Sequence, residues 1–119
     1  IHGQKSNIYI NPEVKEKFMK LRAYMNTSYS DSWNIKKMAD FVNLSPSRFH
    51  RVYHSVFSTS PKKDLCEIRI EHAKTLLQQR RYLVQEVAEM TGYTNKYHFI
   101  RQFRESTGKS PKKWLEKPD

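Results

Sequence analysis

Two short stretches hold the side chains whose types and spacing point to chemistry. In the first, Ser47, His50, Arg51 and His54 follow the i, i+3, i+4, i+7 pattern that lines up one face of a helix. In the second, Tyr97, Arg101 and Arg104 run i, i+4, i+7, flanked by Lys96 and Ile100. Such stripes suit the edges of base pairs in a major groove, where a guanidinium grips guanine through two hydrogen bonds and hydroxyl or imidazole groups bond beside it. Arg51 and Arg101 are the candidate guanine readers. Ser47, His50, Lys96 and Tyr97 are further candidate base contacts, and Ile100 is placed to pack on a thymine methyl. Arg48, His54, Arg104, Lys62 and Lys112 are assigned to phosphates, which set register on a duplex without reading its sequence.

Other chemistries find less support. His50 and His54 have the i, i+4 spacing of a helical metal pair, but no acid or cysteine shares their face and Arg51 opposes a cation. No metal is expected. Cys66 is the single cysteine, so it makes no internal disulfide and falls short of a zinc pattern. It is read as a half-buried thiol, and His72 as a packed residue. No Ser/His/Asp set, glycine-rich phosphate loop or pair of carboxylates on one face can be assembled. An enzyme and a cofactor are therefore not expected.

The formal net charge of +10 on 119 residues calls for a polyanionic partner, either nucleic acid or an acidic membrane surface. Apolar runs are short and broken by charge, so no membrane span or signal peptide is expected. The expected setting is the reducing cytoplasm.

Helical elements must carry these stripes. Asn11-Pro12-Glu13 is a helix start, with Val14, Phe18, Leu21 and Met25 inward. Asn34 caps a second helix with Ile35, Met38, Ala39 and Val42 on its inner face. Ser45-Pro46 opens a third, buried through Phe49, Val52, Tyr53 and Val56. Ser60-Pro61 opens a longer one with Leu65, Ile68, Ala73, Leu76 and Leu77, fading near Gln79–Tyr82. Leu83 to Met90 forms the fifth helix and Gly92 ends it. A sixth starts near Asn95 with Phe99 and Phe103 inward, and Ser110-Pro111 starts a short seventh with Trp114 and Leu115. Trp33 and Trp114 are read as core plugs. The class is all-α, seven helices.

The chain also repeats itself. Ser60-Pro61-Lys62-Lys63-Asp64-Leu65 returns as Ser110-Pro111-Lys112-Lys113-Trp114-Leu115, and Phe49, Arg51 and Tyr53 match Phe99, Arg101 and Phe103, all 50 residues on. Met38-Ala39 matches Val87-Ala88 at an offset of 49, so the second copy has one extra residue near its turn. Each copy meets the needs of a helix-turn-helix: a small residue (Ala39, Ala88), a turn residue tolerant of the left-handed region (Asn43, Gly92) and an apolar plug (Leu44, Tyr93). Ser-Pro-Lys-Lys also occurs as a minor-groove turn in basic tails, but here each copy precedes a helical apolar pattern and reads as a cap. Residues 1–11 read as a linker stub or arm, 12–60 as the first subdomain, 61–80 as a connecting helix and 81–119 as the second subdomain.

From about Val14 to Lys117 these residues resemble the DNA-binding domain of the AraC/XylS transcription regulators. The likeness rests on Met38-Ala39, Ser45, Phe49, Arg51 and Tyr53. It continues through Leu65, Arg69, Ala73 and Leu76-Leu77, then Val87-Ala88, Gly92-Tyr93, Phe99, Arg101, Phe103, Gly108 and Ser110-Pro111. It implies two helix-turn-helix subdomains joined by a long central helix, with recognition helices entering successive major grooves about 34 Å apart. The family's base-reading positions fall on Ser47, His50 and Arg51, then on Lys96, Tyr97 and Arg101. Asp64 departs from the pattern where an aromatic is usual, Ser58 where glycine is common, Leu115 where arginine is frequent, and Leu83 at a capping position. The resemblance further implies double-stranded DNA as partner, RNA polymerase as a second contact, and any small-molecule effector bound by a domain outside this chain; the chain is expected to be a C-terminal fragment of a longer regulator, with a small stand-alone member as the alternative. The rival readings are a non-specific nucleic-acid or RNA-binding helical domain and a module whose basic faces dock an acidic protein.

Overall fold

A computed structural model describes residues 9–116; positions 1–8 of the expected arm and 117–119 lie outside the described residues. Among the described residues there are seven helices and no strands. They are α1 (Pro12–Thr27), α2 (Ile35–Phe41), α3 (Pro46–Phe57), α4 (Pro61–Gln78), α5 (Val84–Met90), α6 (Lys96–Thr107) and α7 (Pro111–Leu115).

Most of these helices begin where the sequence offers an acceptor to the orphan N–H groups of a first turn. The Asn11 side chain accepts from the Glu13 N–H at 2.7 Å and that of Asn34 from Lys37 at 2.8 Å. Ser45, Ser60 and Ser110 each accept from the N–H three residues on, and Asn95 accepts from both Tyr97 and His98. The fifth helix is the exception. Helical spacing alone makes Leu83 its first residue, whereas the family resemblance puts Leu83 at a capping position; it occupies that capping position and is 71% exposed. Leucine has no acceptor, so only half of a capping box forms: the Glu86 carboxylate accepts from the Leu83 N–H at 2.8 Å.

By packing, the chain divides into two compact units. Unit 1 holds the described residues up to Ser28 together with Trp33–Leu65, and thus α1, α2, α3 and the first turn of α4. Its buried side chains include Phe18, Leu21, Met25, Met38, Ala39, Val42, Phe49, Val52 and Tyr53. Phe18 and Phe49 stack at 5.6 Å between centroids, and Tyr53 closes on both. Val56 stays half-buried at the edge of this core. Trp33 is also half-buried, its indole N–H donating to the Ser28 carbonyl at 2.8 Å.

Unit 2 holds the described residues from Cys66 onward and the four residues Tyr29–Ser32 from the α1–α2 loop. Its core is Ile70, Ala73, Leu77, Val87, Ala88, Tyr93, Phe99 and Phe103, with Trp114 and Leu115 partly buried against it.

Candidate nucleic-acid interface

The two helix-turn-helix units are wired alike. In unit 1 the Leu44 N–H donates to the Ala39 carbonyl at 3.0 Å and Asn43 to Asp40 at 3.1 Å. In unit 2 the Tyr93 N–H donates to Ala88 at 2.9 Å and Gly92 to Glu89 at 3.1 Å, 49 residues later. The next equivalent bonds, Phe49 N–H to Ser45 and Phe99 N–H to Asn95, are 50 residues apart. The extra residue of the second copy is therefore Thr94, between the turn and the cap of α6. The sequence put it only near the turn.

Both turns use the left-handed region, Asn43 at φ 58° and Gly92 at φ 97°. Asparagine bears this conformation at modest cost, because its side chain bonds locally. Gly92 is more constrained: a Cβ there would lie 3.1 Å from Arg69 Nε and 3.1 Å from Ser30 Cα. Arg69 cannot easily move aside. Its guanidinium donates to the Tyr29 and Asp31 carbonyls, each at 2.8 Å, and lies 5.8 Å from the Tyr93 ring centre.

Beyond each turn, the recognition helix buries one face and leaves the other free. On α3 the side chains of Ser47, Arg48, His50, Arg51 and His54 are exposed, opposite Phe49, Val52 and Tyr53. On α6 those of Tyr97, Arg101 and Arg104 are exposed, opposite Phe99 and Phe103. The repeat pairs Ser47 with Tyr97, His50 with Ile100, Arg51 with Arg101 and His54 with Arg104. Tyr97 is 70% exposed, with the Lys96 ammonium 5.3 Å from its ring centre. Ile100 differs from its partner, being half-buried and packed against the unit 2 core. Less of its side chain is offered outward than the spacing alone suggested.

Lys62 and Lys112 are exposed in the first turns of α4 and α7. Two other lysines stand out: Lys109, which the sequence did not single out, and Lys113, which it gave only as part of the Ser-Pro-Lys-Lys motif. A cleft of about 520 Å³ is lined by Arg104, Gly108, Lys109, Ser110, Lys113 and Glu116, so Lys109 and Lys113 share a wall with Arg104. The only signal for Lys109 was the local density of lysine around Ser110-Pro111. His98, the register partner of Arg48, was likewise missed; it is exposed on α6, its ring edge-on to Tyr93 at 5.4 Å.

What holds the recognition helices differs. In unit 2, Phe103 of α6 meets Trp114 of α7 edge-to-face at 5.6 Å. At the matching positions in unit 1 the Tyr53 hydroxyl donates to the Asp64 carboxylate at 2.5 Å. Arg22 of α1 completes the set, its Nε at 2.7 Å and Nη2 at 3.0 Å from the two Asp64 oxygens. Hydrogen bonding to Asp64 raises the Arg22 pKa, and burial raises that of Tyr53, so this pair stays guanidinium and phenol at neutral pH. The other departures are also accommodated: Ser58 takes the left-handed region at φ 60°, and the Leu115 carbonyl accepts from Arg80.

Cys66 is half-buried, and its thiol donates to Gln102 Oε1. Burial pushes the thiol pKa up, away from a reactive thiolate. His72 stacks on Tyr29 at 3.8 Å. Among the described residues, no group of three or more His, Cys, Asp or Glu side chains could hold a metal ion, and no helix is long and apolar enough to cross a membrane.

With that geometry in place, comparison with known proteins gives a family. A family model described as a helix-turn-helix domain matches residues 38–117. The chain belongs to the AraC-type helix-turn-helix family. Among curated AraC-type relatives, it is 33% identical over 103 residues to the raffinose operon transcriptional regulatory protein RafR of Pediococcus pentosaceus, covering 85% of this chain and 37% of that one. It is 27% identical over 104 residues to an uncharacterized HTH-type transcriptional regulator of Bacillus subtilis, covering 87% and 43%. The chain thus spans about two-fifths of the length of these relatives. Among solved structures, the C-terminal domain of AraT, a response regulator from Geobacillus stearothermophilus, is similar with a TM-score of 0.80 at 25% identity, covering 92% of this chain and 88% of that one. The DNA-binding domain of AdpA, a global transcriptional factor solved in complex with a target DNA, shares the fold at a TM-score of 0.80 and 23% identity, covering 84% and 90%.

Proposed function

We propose that this AraC-type domain binds double-stranded DNA sequence-specifically in the cytoplasm, as the DNA-reading part of a transcription regulator. The observation that carries the reading is the pair of exposed stripes at equivalent positions of α3 and α6, each on a helix fixed by the same turn wiring. A charge of +10 supplies phosphate attraction, and the structure of the related AdpA domain with its target DNA supports the same use of the fold.

In this reading Arg51 and Arg101 each grip a guanine, with Ser47, His50, Lys96 and Tyr97 at neighbouring base edges and Ile100 on a thymine methyl. Arg48, His54, Arg104, Lys62 and Lys112 hold phosphates. The two helices read successive major grooves, and one chain recognises an asymmetric site. Selecting bound sequences from a random DNA pool tests this: the expected product is a site with two conserved, dissimilar segments about one helical turn apart. A pool that stays random after selection would remove sequence-specific reading in favour of non-specific nucleic-acid binding.

A further inference from the structure

The repeat is least faithful at one buried point. Tyr53 and Asp64 stand where unit 2 has Phe103 and Trp114, and Asp64 is only 5% exposed with a guanidinium and a phenol closed around it. Stability does not explain this exchange. Burying an ion pair costs desolvation that its attraction roughly repays, and apolar replacements are often as stable or more so. The apolar solution is present in the same molecule, in the Phe103–Trp114 contact.

What the polar set adds is direction. Two aromatic rings tolerate sliding against one another, whereas a carboxylate held by the Arg22 fork offers the Tyr53 hydroxyl only its outer lone pairs, and the hydroxyl takes the one on Oδ2. Tyr53 itself is fully buried among Phe18, Phe49 and Phe57, on the same helix as the exposed stripe. Its hydroxyl therefore fixes the rotation of α3 against α1 and the first turn of α4. Base contacts demand such control, because a reading side chain must be held within about 0.5 Å and 10–20° of its productive pose.

We propose that Asp64 and Arg22 are positioning residues for base reading by α3, acting through the Tyr53 hydroxyl. The proposal rests on the DNA-reading function above. Unit 1 is then the half whose specificity depends on a polar lock, and unit 2 the half whose specificity does not.

The test compares base discrimination in the two halves of the selected site, using single base changes in each. The half belonging to α3 is the one whose discrimination Arg51→Ala erases; Arg101→Ala marks the other. Tyr53→Phe deletes only the hydroxyl and keeps the ring. It is expected to lower discrimination in the α3 half by about tenfold, the low end of one bidentate base contact, with the α6 half and random-DNA affinity unchanged. Arg22→Lys keeps the charge and loses the fork, and is expected to fall between wild type and Tyr53→Phe. If Tyr53→Phe melts earlier yet discriminates as wild type does, or if both halves lose equally, the positioning role is overturned while DNA reading stands. If the wild-type chain itself binds selected and random duplex alike, the DNA-reading assignment fails, and the proposal with it.

Discussion

The two units solve one folding problem with different side chains. Both turn through the left-handed region, but unit 1 uses Asn43 in open surroundings while unit 2 needs Gly92, crowded by Arg69 and Ser30. Both hold a recognition helix from below, one with the Arg22–Asp64–Tyr53 set and the other with Phe103 against Trp114. Both present a stripe, one of serine and imidazoles around Arg51, the other of Tyr97 and Arg104 around Arg101. Duplicated architecture thus fixes backbone wiring and the buried/exposed pattern, and leaves the identity of the exposed groups free to diverge. That freedom suits a reader of two unlike half-sites.

The sharpest way to break the comparison is at the turns. Gly92→Ala adds a side chain at φ 97° and meets Arg69 and Ser30, and it is expected to cost about 2–3 kcal/mol in thermal unfolding. Asn43→Ala is expected to cost about 1 kcal/mol, and Asn43→Gly close to none. Equal costs for the two alanine variants would mean that the crowding at Gly92 relaxes freely.

At the reading surface, Arg51→Ala and Arg101→Ala should each lose about 1–3 kcal/mol on the selected site and little on random DNA. Fluorescence anisotropy on both duplexes measures the difference, and equal losses on the two would reassign these arginines to phosphate. The support beneath α3 comes next. Arg22→Ala leaves the Asp64 carboxylate with the Tyr53 hydroxyl alone and should destabilise unit 1 by about 2 kcal/mol, a figure already reduced because Arg22 is 45% exposed. Adding Asp64→Asn should recover part of that loss, since no unpaired charge then remains buried.

Smaller effects belong to charge and pH. Lys62→Ala and Lys112→Ala should each flatten the plot of log K against log salt by about one counterion, and Lys109→Ala or Lys113→Ala should do the same if the cleft beside Arg104 takes a phosphate. An unchanged slope strikes that lysine from the contacts. Each unit also buries a tyrosine, Tyr53 and Tyr93, whose pKa burial raises above the ordinary 10.0. A group held protonated in this way contributes stability that is complete below pH 10 and lost as pH climbs from there. Alkaline titration followed by residue-resolved NMR should show both units weakening in that range. Tyr53→Phe should spare unit 1 and Tyr93→Phe should spare unit 2.

Much of this was legible from the residues in order. The caps Asn11, Asn34, Ser45, Ser60 and Ser110 were readable because capping is local, a side-chain oxygen meeting an N–H two or three residues on. The inner faces of α3 and α6 followed from helical spacing, and the doubled helix-turn-helix from the internal repeat. Helical spacing alone put Leu83 one position inside α5, since an apolar residue at a cap imitates the first turn of an amphipathic helix; the family resemblance had it at the cap.

The tertiary structure decided what depends on residues far apart in the chain. Nothing in the one-dimensional order joins Arg22 to Asp64 or Tyr29 to Arg69, because these pairings are made by packing α4 against α1 and the α1–α2 loop, which no periodicity records. The position of Thr94 as the inserted residue also needed the hydrogen-bond wiring of the turn. The sequence alone determined that two helices would each show a basic, polar face. Only packing determined that Ile100 would turn partly inward, and that the first of those faces would rest on a buried carboxylate.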